Sequence, residues 1–178
     1  MPLKRPDLGA RLLEPAVRRV AYPGELGAAP TGLSFSVPAD WHTAPVRGAL
    51  AVARAPEPGA HGLHANLVLS IDRVTDQVTL SGVAQEVLRD ARHRAEALVV
   101  IEERLAEVAA LPALRREQRL EAAAVGVSLV QFVVLLLAEV GDGAARDCIQ
   151  ITATGEATEH GALRAVFDEV CESLRLGP

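Results

Sequence analysis

Val127-Ser-Leu-Val-Gln-Phe-Val-Val-Leu-Leu-Leu-Ala-Glu-Val140 is the most apolar run in the chain. It is too short, and too interrupted by Ser128 and Gln131, to cross a bilayer as a helix. Two readings compete: a helix buried all round, or a strand with both faces covered. Val and Phe dominate the middle, Gly126 precedes the run and Gly141-Asp142-Gly143 follows it, which favours the strand. Val127, Leu129, Gln131, Val133, Leu135 and Leu137 then share one face, and Ser128, Val130, Phe132, Val134 and Leu136 the other. Both faces are mostly apolar, so each needs a covering layer and the strand belongs in the middle of a layered domain.

Downstream, Arg146–Thr154 alternates as a last strand, with Ile149, Ile151 and Ala153 facing one way. Thr158–Leu174 follows as an amphipathic helix, with Leu163, Val166, Phe167, Val170 and Leu174 as its stripe and Thr158 as a cap. Upstream, Ala113–Glu121 alternates partially and reads as a strand after Pro112. Before it, Ser81 is the expected N-cap of a helix whose stripe is Leu80, Ala84, Val87, Leu88, Ala91 and Ala95. Leu98-Val99-Val100-Ile101 is rich in β-branched residues and alone could be a strand. Leu98, Ile101, Leu105 and Val108 nevertheless extend the stripe at three- and four-residue steps, while alternation fails at Glu102-Glu103. The helix is therefore expected to continue to about Ala109, with a break near Leu98–Val100 left open.

Nearer the start, Gly48–Ala55 and Leu63–Val74 read as an antiparallel pair joined by the polar loop Pro56–Gly62. Gly32–Val37 is a short strand ended by Pro38, and the turn after it plants Trp41, the single tryptophan, as a core plug. His42 is read as surface. Residues 1–31 form a leader, with a short or kinked helical pattern over Leu8–Val20 that contains Pro15. Residues 32–178 form one domain. The order of strands, long helix, antiparallel strands and closing helix gives an α+β class.

Composition narrows the function classes. The chain has 178 residues, enough for one sizeable core, and 49% of them are hydrophobic. A net charge of -5 argues against a nucleic-acid partner, because phosphate contacts need clustered cations. Arg115-Arg116 is the obvious candidate for a local basic patch, and it is read as solvated surface. Cys148 and Cys171 are too few for a disulfide framework or a four-thiolate metal site. They are read as reduced, partly buried thiols, with one disulfide between the last strand and last helix as the alternative. Charge recurs from Asp7 through Arg19, so no apolar signal-peptide core forms and a cytoplasmic location is expected, without direct membrane insertion.

Gly32-Leu-Ser-Phe-Ser-Val-Pro-Ala-Asp-Trp41 resembles the "strand, Pro, x, x, Trp" opening of the Mog1/PsbP-like fold group, most of all its actinobacterial LpqN-type branch and the DcrB-type domains. Ala65-Asn-Leu-Val-Leu69 is similar to their Asn-containing strand. Ser81–Ala109 closed by Leu111-Pro112, then Gly126–Leu137, then Ile149–Thr154 leading into Ala162–Leu176, follow in the group's order. The likeness covers about residues 30–176. It implies a twisted, mostly antiparallel sheet flanked by helices. Relatives include lipoproteins, extrinsic photosystem subunits and a Ran-binding transport factor, which share a scaffold and no reaction. No catalytic residue carries over, and the lipidated N-terminal cysteine of LpqN-type proteins has no counterpart here.

Motifs for nucleotide, phosphate, zinc-protease or serine-hydrolase chemistry are absent. His61, His64 and Asp72 make too loose a set for a metal. Glu156, Glu159 and His160 cluster before the last helix, where the helix dipole already accounts for acidic residues. Glu102-Glu103 would not face each other in a helix, and Asp142, Asp147 and Asp168 show no partners. The expectation is a non-enzymatic protein-binding domain without cofactor or metal, a chaperone or adaptor for an exported or membrane-associated partner, or a self-associating homodimer. The alternative is a small-molecule binder with an apolar pocket between sheet and helix. Trp41, Leu67 and Val68 are the candidate binding residues, on the early strands around the Pro56–Gly62 loop.

Overall fold

The computed structural model describes residues 17–22, 32–46, 49–122, 126–140, 143 and 145–177. Its strands in chain order are β1 (Val17–Tyr22), β2 (Leu33–Pro38), β3 (His42–Val46), β4 (Ala49–Arg54) and β5 (Asn66–Thr75). Helix α1 (Leu80–Arg94) follows, then β6 (Ala97–Val108), β7 (Leu111–Ala122), β8 (Val127–Val140) and β9 (Ala145–Glu156). One 3-10 turn at Ala157–Glu159 leads into α2 (His160–Ser173), and β10 (Arg175–Leu176) ends the chain. Seven strands make one antiparallel sheet in the order β3-β4-β5-β9-β8-β7-β6, and β1-β2-β10 make a second, three-stranded sheet. The fold is α+β, with a mostly antiparallel sheet flanked by two helices.

The run Val127–Val140 is β8, paired on both sides, and both its faces are covered. Val130, Phe132, Val134 and Leu136 share a face with Ile149 and Ile151 of β9 and Leu67 and Leu69 of β5. That face packs on Leu163, Phe167 and Val170 of α2, on Leu174 just after it, on Leu33, Phe35 and Val37 of β2, and on Trp41. Each fully buried Leu, Ile, Val or Phe there contributes about 1.5–3 kcal/mol of transfer free energy. The opposite face is covered less completely. Leu114, Val133 and Leu135 pack under Ala84, with Leu80, Val83 and Val87 beside it on α1.

Several expectations are corrected. The helix ends at Arg94, and the segment to Val108 is an edge strand forming a hairpin with β7. The register shifts between Val100 and Glu102, and this bulge puts the alternation out of phase where the sequence looked helical. The turn is Ala109-Ala110, two non-glycine residues with φ of 53° and 61°, the conformation a two-residue antiparallel turn requires. The N-cap is Thr79, whose hydroxyl accepts from the Gly82 N–H, and not Ser81. Val17–Val20 belongs to β1, paired with β2, where a helical pattern was expected; residues 8–16 of that pattern lie outside the described residues. β3 was not anticipated. The last helix starts at His160 after the 3-10 turn, two residues later than expected.

The charged residues are also less free than expected. Arg116 is 3% exposed, not solvated surface. Its Nε donates to Glu103 Oε2 at 2.7 Å and its Nη2 to the Ala84 carbonyl at 2.8 Å, tying the hairpin to α1. Arg115 pairs with Asp168 of α2, and Arg73 with the fully buried Asp147. Glu102 and Glu103 sit on a strand, so they point to opposite faces, toward Arg164 and Arg116 respectively. Asp142 lies outside the described residues. Cys148 and Cys171 are both free and buried, on opposite faces of the sheet, so the disulfide alternative is excluded by geometry. Among the described residues, no helix is long and apolar enough to cross a membrane.

A groove between α1 and the open half of the sheet

Helix α1 is shorter than the sheet it crosses, and a concavity opens beside it. Its first half seals Leu114, Val133 and Leu135. Its second half, through Val87, Asp90, Ala91 and Arg94, together with Ala95 just after it, stands over a groove of about 480 Å³. The floor is the same sheet face, contributed by Val68 and Ser70 of β5, Gln118 and Leu120 of β7, Leu129 and Gln131 of β8, and Gln150, Thr152 and Thr154 of β9. Strand pairing sets these residues side by side: Gln118 opposite Gln131, Gln131 opposite Thr154, Val68 opposite Thr152.

The floor is a chain of neutral polar groups. Gln118 Nε2 donates to Gln131 Oε1 at 2.9 Å, and Gln131 Nε2 donates to Thr154 Oγ1 at 3.1 Å. Gln150 Nε2 donates to Thr152 Oγ1 at 3.0 Å. Gln118 is 1% exposed, yet its Oε1 has no hydrogen-bond partner. A buried acceptor left unpaired costs about 1–3 kcal/mol. Val68, Val87, Leu120 and Leu129 supply apolar surface, while Asp90 and Glu121 bring carboxylates and Arg94 a guanidinium to the rim.

Of the three candidate binding residues, only Val68 reaches this groove. Leu67 is 0% exposed and Trp41 7%, and both belong to the core on the other side of the sheet. The groove residues that sequence reasoning missed are Gln118, Gln131, Gln150 and Thr154. Gln131 was a visible signal, a polar residue inside the most apolar run.

A second polar cluster ties the loop after β4 to the end of β9. Glu156 is fully buried and accepts from the His61 N–H at 2.8 Å, from His61 Nδ1 at 2.8 Å and from the Leu63 N–H at 3.3 Å. Burial pushes its carboxyl up, but the His61 side chain, the two backbone donors and the His61 charge outweigh it and hold the carboxyl below the ordinary range. Glu117 behaves alike: burial raises it, and His160 and Arg164 pull it below the ordinary range. His160 therefore turns to Glu117, at 2.7 Å, and not to Glu156 and Glu159. His64 donates to the Ala55 carbonyl at 2.9 Å, away from His61 and Asp72. Among the described residues, no group of three or more His, Cys, Asp or Glu side chains is placed to hold a metal ion. Burial pushes both thiols up to about 11, with Asp72 adding to the effect at Cys148, so both are protonated at neutral pH.

No family model and no curated protein sequence matches the chain. Solved structures do. LpqN, involved in cell envelope biogenesis of Mycobacterium tuberculosis, superposes with a TM-score of 0.69 at 14% identity, over 91% of this chain and 92% of that one. The cyanobacterial PsbP of Synechocystis gives 0.61 at 14% identity, over 94% and 96%. The Saccharomyces cerevisiae Ran-binding protein Mog1p gives 0.57 at 12% identity, over 91% and 96%. The chain thus has a Mog1/PsbP-like fold resembling that of LpqN, as the opening motif implied.

Proposed function

We propose that this is a non-enzymatic protein-binding domain that takes a segment of a partner into the groove between α1 and the sheet. The observation that carries the reading is the neutral polar floor of the groove, framed by apolar side chains. Gln131, Gln150, Thr152 and Thr154 offer both donors and acceptors, which suits a polypeptide, while Val68, Leu120 and Leu129 bury small apolar side chains. The two thiols are unactivated, and Glu117 and Glu156 are held in internal ion pairs, which favours binding over catalysis.

The finer reading is a chaperone or adaptor acting in the cytoplasm on an exported or membrane-associated partner. Its support is by likeness: a mycobacterial protein of this fold is involved in envelope biogenesis, and a yeast one binds Ran. A second reading, a small-molecule site, is favoured by the groove volume of about 480 Å³, the size of many ligand pockets.

The test is affinity capture from the native host with the wild type and with Val68→Arg and Leu129→Arg, whose side chains are half-buried in the groove. The proposal predicts one stoichiometric partner, lost with either variant while circular dichroism is unchanged. Equal recovery with all three proteins overturns the groove as the site. A small-molecule mass on the freshly purified wild type in native mass spectrometry, without a protein partner, selects the second reading.

A further inference from the structure

β6 is the twelve-residue terminal strand of the main sheet, and its outer edge has no strand partner among the described residues. Such an edge presents unpaired N–H and C=O groups, and isolated domains usually blunt it. Here the edge is long and carries apolar side chains. Among the described residues five large hydrophobics are exposed, and three of them are on this strand: Val99 at 61%, Ile101 at 49% and Leu105 at 75%. The two-residue turn closed by Val108 and Leu111 sets the ladder's alternation, which directs the backbone groups of Glu103, Leu105 and Glu107 to the open edge.

We infer that β6 pairs antiparallel with β6 of a second copy of this chain, in the register centred on Glu103. The sequence of the strand is complementary to itself about that residue. Glu102 meets Arg104, Ile101 at the bulge meets Leu105 and Val100 meets Ala106, each pair occurring twice, while farther out Val99 against Glu107 is the mismatch before Leu98 meets Val108. Opposite charges and apolar pairs directly across a sheet are both stabilising. Moving the centre to Arg104 sets Glu103 against Leu105 and Ile101 against Glu107; moving it to Glu102 sets Glu103 against Ile101. Only the Glu103-centred register keeps charge with charge and apolar with apolar around the centre. At that centre two Glu103 carboxylates meet, and each is already bonded to its own Arg116 at 2.7 Å.

The two-fold axis of such a pair runs normal to the sheet. Both copies of α1, and both grooves, then lie on the same side of one continuous sheet. A dimer of this form holds two partner segments side by side, whatever occupies each groove.

Sedimentation velocity over a concentration series tests the inference. The wild type is expected to show a reversible monomer–dimer equilibrium. Leu105→Lys, a change at an exposed side chain, should weaken it about tenfold, since each substitution acts at two symmetric pairs. Glu102→Arg and Arg104→Glu should each weaken it similarly, and the double variant E102R/R104E should restore it. Circular dichroism establishes that each variant is folded. A wild type that stays monomeric up to its solubility limit overturns the inference, as does a dimer indifferent to Leu105→Lys and to both charge reversals. Failure of the double reversal to restore association overturns the Glu103-centred register.

Discussion

Replacing Phe132 by Ala, and separately Leu129 by Ala, separates the two readings of the central run by a difference in magnitude. Phe132 is 3% exposed and stacks on Phe167 of α2 with ring centroids 5.5 Å apart. The Arg164 guanidinium lies 5.5 Å from its centroid, and the His160 ring is tilted beside it at 5.5 Å. Truncation removes a buried aromatic from a packed interface, which costs about 3–5 kcal/mol, of which the ring pairing accounts for about 0.5–1.5 kcal/mol. Leu129 is on the other face, half-buried in the groove floor, and its truncation should cost about 1 kcal/mol. In a helix the two residues would be three apart on one side and share one environment. In the strand they face opposite ways. Urea unfolding followed by circular dichroism reads both costs from the midpoint shift at unchanged slope. With a typical total stability of about 5–15 kcal/mol, the Phe132 variant should be visibly marginal. Equal losses for the two variants would refute the face assignment.

Three further outcomes are expected. At Gly59 a Cβ would stand 2.7 Å from the Glu156 carboxyl and 2.9 Å from Glu159 Oε2, so Gly59→Ala should destabilise by about 1–3 kcal/mol in the same unfolding assay. Glu156 and Glu117 titrate below their ordinary 4.5 in the folded chain; their contribution to stability is present above that value and lost as pH falls through the folded values. The urea midpoint should therefore drop on acidification, and Glu156→Gln should make that drop shallower. The turn holds Ala109 and Ala110 at φ of 53° and 61°, so Ala109→Asn with Ala110→Gly should raise stability by about 1 kcal/mol, read as a higher thermal midpoint.

Much of the fold was legible because it is written in short-range pattern. The run Val127–Val140 is apolar on both faces and is buried continuously over Phe132–Leu136, and the stripe Leu163, Phe167, Val170 and Leu174 keeps a helical period that burial follows. Trp41 after Pro38 packs into the core as its position implied. β6 was illegible because a bulge shifts its phase and an edge strand needs no apolar face of its own, so its Leu and Val residues imitated a helical stripe. β3 carries Pro45 in five residues, a composition tolerated at a sheet edge and weak as a strand signal. The ion pairs Arg73–Asp147, Arg115–Asp168 and His61–Glu156 join residues far apart in sequence, and no local spacing predicts them. The groove was hidden for the same reason. It opens beside α1, and its polar floor appears only when the register brings Gln118, Gln131 and Thr154 together. What remained in the sequence was Gln131, polar at the centre of the core strand.

Site-specific photocrosslinking in the native host reads directly whether a partner segment lies in the groove. A photoreactive amino acid placed at Leu129, half-buried on the groove floor, is compared with the same group at Val46, which is 47% exposed on the opposite edge strand β3. The account predicts one discrete partner adduct from position 129 and none from position 46. An adduct from position 46 alone, or the same adduct from both positions, would contradict it.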